Sequence, residues 1–332
     1  MAEAPVRRVL IYTSGDLIGD GLLKLPAVRT LRRVFPGAHL TWLAGHGPSV
    51  FAGALAPLVR EHLDEVIQCA GVGVRYREWL TGPALPRDGW DVVIDTLRLP
   101  RSTLSLRHLR ARVFLAPAAG FRFSRPRPRG SGALPRSLPE YLCRLFALAG
   151  GREQTPDYRL WLPAGYREAA RELLPEGRAY LGLAPGSGGA NKCWPLENYI
   201  ELAHWAPQVG LTPAFFIGPA ERAWVPRLKE AVPGALFPDL EGHQGMAPGP
   251  LLSLALGERL RCAVANDAGG GHILAAGGRP VVTLFGRSDP AKFVAPGTDR
   301  EVITAASVGV AGVEEIPVAV VRQRIERVLS RR

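Results

Sequence analysis

The chain has 332 residues, 47% of them hydrophobic, and a formal net charge of +11 from 41 basic and 30 acidic residues, only four of the basic ones being Lys. Two domains are expected at that length, because a single core rarely grows past about 250–300 residues, and the apolar content excludes wholesale disorder. No run approaches the ~20 apolar residues of a membrane-spanning helix, no signal-peptide core opens the chain, and Cys69, Cys143, Cys193 and Cys262 form no C-x-x-C pair. The expectation is a cytoplasmic protein with reduced thiols and no metal site. Its charge asks for an anionic partner: nucleic acid, a membrane surface or a phosphorylated substrate.

Short runs that are apolar on both faces recur along the chain, as buried parallel strands require. In the first half they are Val9–Tyr12, His39–Leu43, Glu65–Cys69, Asp91–Asp95 and Val113–Leu115. In the second they are Tyr180–Ala184, Ala214–Ile217, Cys262–Ala265 and Val281–Phe285. Helical spacing falls between them. One helix is read through Val28, Leu31 and Phe35 to a stop at Pro36-Gly37, and others over Leu196–Ala206, Glu221–Ala231, Leu251–Leu260 and Pro317–Leu329. The alternation predicts an α/β fold with parallel sheets in two sets joined within Gly150–Tyr166. Two doubly wound halves would bind ligands at the carboxyl ends of their strands.

Four segments at predicted strand ends carry chemistry. Gly15-Asp16-Leu17-Ile18-Gly19-Asp20-Gly21 sets two carboxylates in a glycine-rich turn; each is read as a ligand contact or as a helix cap. Pro185–Pro195 combines Gly186, Ser187 and Gly188 with Lys192, a phosphate cradle or a plain loop, without the Walker A pattern. Glu221 follows Gly218-Pro219 and either accepts ribose hydroxyls or starts a helix. Asn266-Asp267-Ala268-Gly269-Gly270-Gly271-His272 reads as a helix start able to hold an anion, with Asp267 as the cap and His272 facing the anion or the core. Charge has its own pattern: from Thr96 to Pro139 there is no Asp or Glu but ten Arg, among them Arg122, Arg125, Arg127 and Arg129. These read as a patch for an anionic acceptor or a membrane face, or as a solvated loop. No stacking-aromatic pattern accompanies them, which argues against nucleic acid.

Together the blocks resemble glycosyltransferase family 9, the heptosyltransferases of lipopolysaccharide assembly. The blocks are Gly19-Asp20-Gly21-Leu22-Leu23-Lys24-Leu25-Pro26-Ala27, Lys192-Cys193-Trp194-Pro195, Asn266–Ala276 and Leu284-Phe285-Gly286-Arg287-Ser288-Asp289-Pro290. The resemblance implies a GT-B architecture, two Rossmann-like domains facing across a cleft. Residues 1–160 would bind the acceptor, 161–312 the nucleotide-sugar donor, and a helix in 313–332 would pack back toward the first domain. It implies inverting, metal-independent transfer of a sugar, typically heptose from ADP-heptose, with no cofactor, to a saccharide or glycolipid acceptor at the inner membrane face. Asp20 matches the general base; Ser187 and Lys192 match contacts to the donor phosphates, with Lys192 stabilising the leaving group. Glu221 matches the ribose carboxylate, and Asp267, Ala268, Gly269 and His272 the donor loop. Asp16, an additional carboxylate on the acceptor side, competes with Asp20 for the base role. Ala268 stands where the family has Thr or Ser, and Gly270-Gly271 replace bulkier residues. Two further readings remain: a nucleotide-sugar-binding protein without transferase activity, and a GT-B epimerase or hydrolase.

Overall fold

The computed structural model describes residues 5–128, 132–187, 193–286, 288–293 and 300–331. The chain divides between Arg159 and Leu160 into two compact units, each built on a five-stranded parallel sheet. In the first, β1 (Arg8–Thr13), β2 (His39–Ala44), β3 (Glu65–Ile67), β4 (Trp90–Asp95) and β5 (Ala111–Leu115) lie in the order β3-β2-β1-β4-β5. α1 (Ile18–Val28), α2 (Leu31–Val34), α3 (Glu78–Thr81), α4 (Pro100–Leu106) and α5 (Leu138–Gly150) flank it. Strand order reverses between β1 and β4, so the connection leaving β1 sits at the point where an open α/β sheet leaves room for a ligand. Val9, Leu10, Ile11, Leu43, Val92, Val93 and Ile94 are fully buried, which explains their continuous apolar runs.

The second unit begins with α6 (Tyr166–Leu173). Its strands β6 (Ala179–Ala184), β7 (Leu211–Phe215), β8 (Cys262–Asn266), β9 (Val281–Phe285) and β10 (Arg300–Thr304) are ordered β10-β9-β8-β6-β7. Its reversal falls between β6 and β8. The helices are α7 (Leu196–Trp205), α8 (Val225–Ala231), α9 (Pro250–Gly257), α10 (Gly269–Ala276), α11 (Pro290–Phe293) and α12 (Val318–Ser330). Val321, Ile325 and Val328 bury one stripe of α12 in the core of this unit, against α7, β8 and β9. Among the described residues no helix is long and apolar enough to cross a membrane.

Three local expectations change. The helix read through Phe35 is broken after Val28: Thr30 Oγ1 donates to Ala27 O at 2.7 Å, and Pro26 lacks the N–H that a continuous ladder needs. The seventh strand starts earlier than its apolar run and contains Pro213, tolerated because β7 is an edge strand. β10 was not predicted; it is the opposite edge, opens with Arg300-Glu301, and lacks the apolar run of a central strand.

Candidate active site

In the first unit, Asp20 lies in the first turn of α1, immediately past β1. It is half-buried, and its carboxylate has no hydrogen bond or ion pair among the described residues. Asp16 is its opposite. Its side chain is wholly buried; Oδ2 accepts from Trp42 Nε1 at 2.8 Å and Ser49 Oγ at 2.7 Å, while Oδ1 pairs with Lys24 Nζ. Lys24 Nζ also donates to Thr13 Oγ1 at 2.9 Å. The Asp16 carboxylate thus has no room for a substrate hydroxyl, and the expectation that it contacts acceptor gives way to a structural role: it staples the β1–α1 turn to β2 and to the turn at Ser49. Sequence reading missed Lys24, whose position among apolar helix residues gave no sign of a buried partner.

Asp95, at the carboxyl end of β4, is also buried and accepts from Thr103 Oγ1 at 2.7 Å, Leu97 N at 2.9 Å and Ser102 Oγ at 3.2 Å. Burial pushes its pKa up to about 7 despite these donors. Arg122, Arg125 and Arg127 are exposed. Their segment is pinned to β5 by Arg125 N donating to Phe114 O at 2.8 Å and Phe114 N to Arg125 O at 2.7 Å, so it follows the sheet edge, with β5 and β4 between it and β1. Arg129 lies outside the described residues.

In the second unit, three predicted segments converge at the carboxyl ends of β6, β7 and β8. Asn266 organises them. Its side chain is fully buried; Nδ2 donates to Pro185 O at 2.7 Å and Oδ1 accepts from Trp194 N at 3.0 Å, clamping both ends of the loop after β6. Trp194 Nε1 donates in turn to Ile316 O at 2.7 Å. Ser187 Oγ is 2.8 Å from Cys193 Sγ in the same loop, and Lys192 lies outside the described residues. Glu221 folds its carboxylate over two glycines: a Cβ at Gly186 or at Gly218 would come within 2.7 Å of it. Those glycines admit a carboxylate where side chains would exclude it.

α10 begins one residue later than expected: Ala268, with extended φ and ψ, is its N-cap and supplies no side-chain hydrogen bond. The missing family hydroxyl is therefore a missing cap. Gly271 is no sign of looseness, since a Cβ there would stand 2.6 Å from Asn266 O; the glycine lets the helix pack tightly beneath β8. His272 is buried, its Nδ1 without a partner and its Nε2 3.8 Å from Asp267 Oδ1. Burial, reinforced by the positive charge of Arg300, pushes its pKa down to about 3, so at neutral pH it is an uncharged imidazole and the Asp267 contact is not an ion pair. Arg300, outside every predicted motif, buries Nε and Nη1 without partners, and burial lowers its pKa to about 10 while Asp267 opposes that shift. An uncharged histidine, a buried guanidinium and the free amides of a helix start are together suited to an anionic group.

A sequence profile described as glycosyltransferase family 9 (heptosyltransferase) matches residues 140–310. Lipopolysaccharide heptosyltransferase 1 of Pseudomonas aeruginosa is 29% identical over 305 residues, covering 85% of this chain and 79% of that protein. The crystal structure of a family 9 glycosyl transferase from Veillonella parvula superposes with a TM-score of 0.72 at 19% identity, over 99% of both chains. E. coli heptosyltransferase WaaC with ADP gives 0.64 at 23% identity, over 96% of this chain and 97% of that one. The fold is thus of the GT-B class, and with its profile matched over more than half of the sequence, this chain belongs to glycosyltransferase family 9.

Proposed function

We propose that the protein transfers heptose from ADP-heptose, with inversion and without a metal, to an anionic lipopolysaccharide-type acceptor on the cytoplasmic side of a membrane. The observation that carries this reading is the contrast between two neighbouring carboxylates, Asp16 fully engaged and Asp20 open at the sheet's reversal point. In the proposed step the acceptor oxygen attacks the anomeric carbon as Asp20 takes its proton, and the bond from that carbon to the β-phosphate oxygen breaks, releasing ADP. Lys192, Ser187 and the amides of Gly269 and its neighbours would balance the charge growing on the diphosphate, and Glu221 would accept the ribose hydroxyls. His272 enters as a neutral donor or packing group. Arg122, Arg125, Arg127 and Arg129 would meet the acceptor's anionic groups.

Asp20→Asn should lower transfer roughly 10²–10⁴-fold, the usual worth of a general base, while leaving ADP-heptose affinity by calorimetry nearly unchanged. Undiminished transfer would remove Asp20 from the base role. Donor binding by the wild-type chain without turnover of any acceptor would favour the non-catalytic reading, to which the uncapped Ala268 lends support.

A further inference from the structure

The face of the second sheet that α10 covers carries polar groups with no partner. Val282, Leu284 and Ile303 enter the core shared with α7 and α12. Strand alternation turns Thr283 and Arg300 to the opposite face, where α10 packs on β8 and β9. Arg300 stands opposite Val281 in the β9–β10 register, so Thr283 is its diagonal neighbour, within reach of a long side chain. Thr283 Oγ1, His272 Nδ1, and Arg300 Nε and Nη1 are all buried without a hydrogen bond. Although Arg300 opens β10, its side chain brings its charge to bear on both His272 and Asp267 at the start of α10.

Such a cluster is costly. A hydroxyl or an imidazole nitrogen withdrawn from water loses a hydrogen bond, and a guanidinium loses far more unless an anion faces it. Other arginines of this unit have that anion: Arg167 has Glu258, Arg322 has Glu201 and Arg324 has Glu301. Arg300 has no ion pair among the described residues; Asp267 is close enough to act on it yet forms none with it. Nη2 is neither enclosed nor bonded, which leaves one guanidinium nitrogen at the open side of the cluster.

The missing charge has a recognisable chemistry. A guanidinium, a hydroxyl and an imidazole can each donate, and they stand beside the amides of Gly269, Gly270 and Gly271, which have no hydrogen-bond partner among the described residues. Ala268 caps α10 with no side-chain bond, so its amino end is open as well. A phosphate group answers this set: it brings several strong acceptor oxygens and up to two negative charges, where a planar carboxylate brings two oxygens and one charge.

We infer that Arg300, with Thr283 and His272 beside it, holds a phosphate group at the start of α10. The inference deepens the glycosyltransferase reading and rests on it only for naming the nucleotide: the group is a phosphate of a nucleoside diphosphate or a free inorganic phosphate. Arrival of the phosphate would offset an unpaired charge that the ligand-free protein carries at a cost, so removing that charge should have two effects of opposite sign. Arg300→Met keeps the aliphatic stem and loses the charge. Without ligand it should melt at a higher temperature than the wild type, and in calorimetry it should bind its phosphate ligand at least about tenfold more weakly. Arg300→Lys, which keeps the charge but not the planar fork, should fall between the two in affinity. ADP, adenosine and inorganic phosphate are the probes. A tenfold loss for ADP with adenosine unchanged, and phosphate displaced by ADP, assigns the group to the nucleotide. A tenfold loss for inorganic phosphate alone, bound alongside ADP, assigns it to the free ion. A structural arginine would behave otherwise, its loss lowering the melting temperature and weakening ADP and adenosine alike. That result overturns the inference, as does a wild type that binds neither ADP nor phosphate. ADP and phosphate affinities both indifferent to Arg300 remove the inference and leave the donor reading standing. Phosphate bound through Arg300 with no ADP binding at all does the reverse.

Discussion

The ammonium of Lys24 and the carboxylate of Asp16 are both withdrawn from water, and each is the other's principal compensation. Removing one partner of such a pair strands the other, at a cost of about 3–5 kcal/mol. Lys24→Met should therefore lower unfolding free energy by that order in urea titration, and adding Asp16→Asn should cost less than the two single changes summed. His272 sets a second test. The unfolded chain takes up a proton near pH 6.5 that the folded one refuses until about 3, so the stability this residue supplies is present above 6.5 and is lost as pH falls below it. Wild-type melting temperature should drop more steeply on acidification than that of His272→Gln.

At the scale of elements, α10 is fitted to β8 by contacts that tolerate little. Gly271→Ala forces a methyl against a backbone carbonyl at 2.6 Å, whereas Gly270→Ala meets only the Cβ of Ala184 at 3.3 Å. The first should cost roughly 1–3 kcal/mol and weaken ADP-heptose binding, because displacing Asn266 also loosens its hold on the loop after β6. The second should be close to neutral, with improved helix propensity offsetting a small local shift. Denaturation curves and calorimetry separate the two outcomes. The central strands were legible because burial on both faces leaves a continuous apolar run. β10 was hidden, since an edge strand starting with Arg300 and Glu301 carries no such run. The break at Thr30 was hidden as well, because the apolar spacing continues through it and only a side-chain hydrogen bond reveals it. Among site residues, those in glycine-rich turns were visible. Asn266 stood in its motif without a role, because its partners Pro185 and Trp194 are distant in the sequence; Lys24 and Arg300 were not singled out.

Over the whole molecule, the +11 charge resolves into regions with different tasks. The ten-Arg stretch runs from the start of α4, along β5, toward α5; of its first members, Arg98 lies 4.7 Å from the centroid of the Tyr141 ring and Arg101 is exposed. In the second unit many arginines are instead tied to carboxylates: Arg167 to Glu258 at 2.8 Å, Arg322 to Glu201 at 2.8 Å and Arg324 to Glu301 at 3.1 Å. Composition alone reports a basic protein, while the fold separates arginines that neutralise its own acids from those turned outward.

The bond from Trp194 to the carbonyl of Ile316 ties the loop after β6 to the segment that leads into α12. Ile316 lies two residues before α12, so strain applied to the C-terminal helix, by an appended domain or a bulky tag, reaches the loop through one indole N–H. Trp194→Phe cuts that tether while keeping an aromatic ring in the core. It should weaken ADP-heptose binding several-fold by calorimetry and leave helix content unchanged.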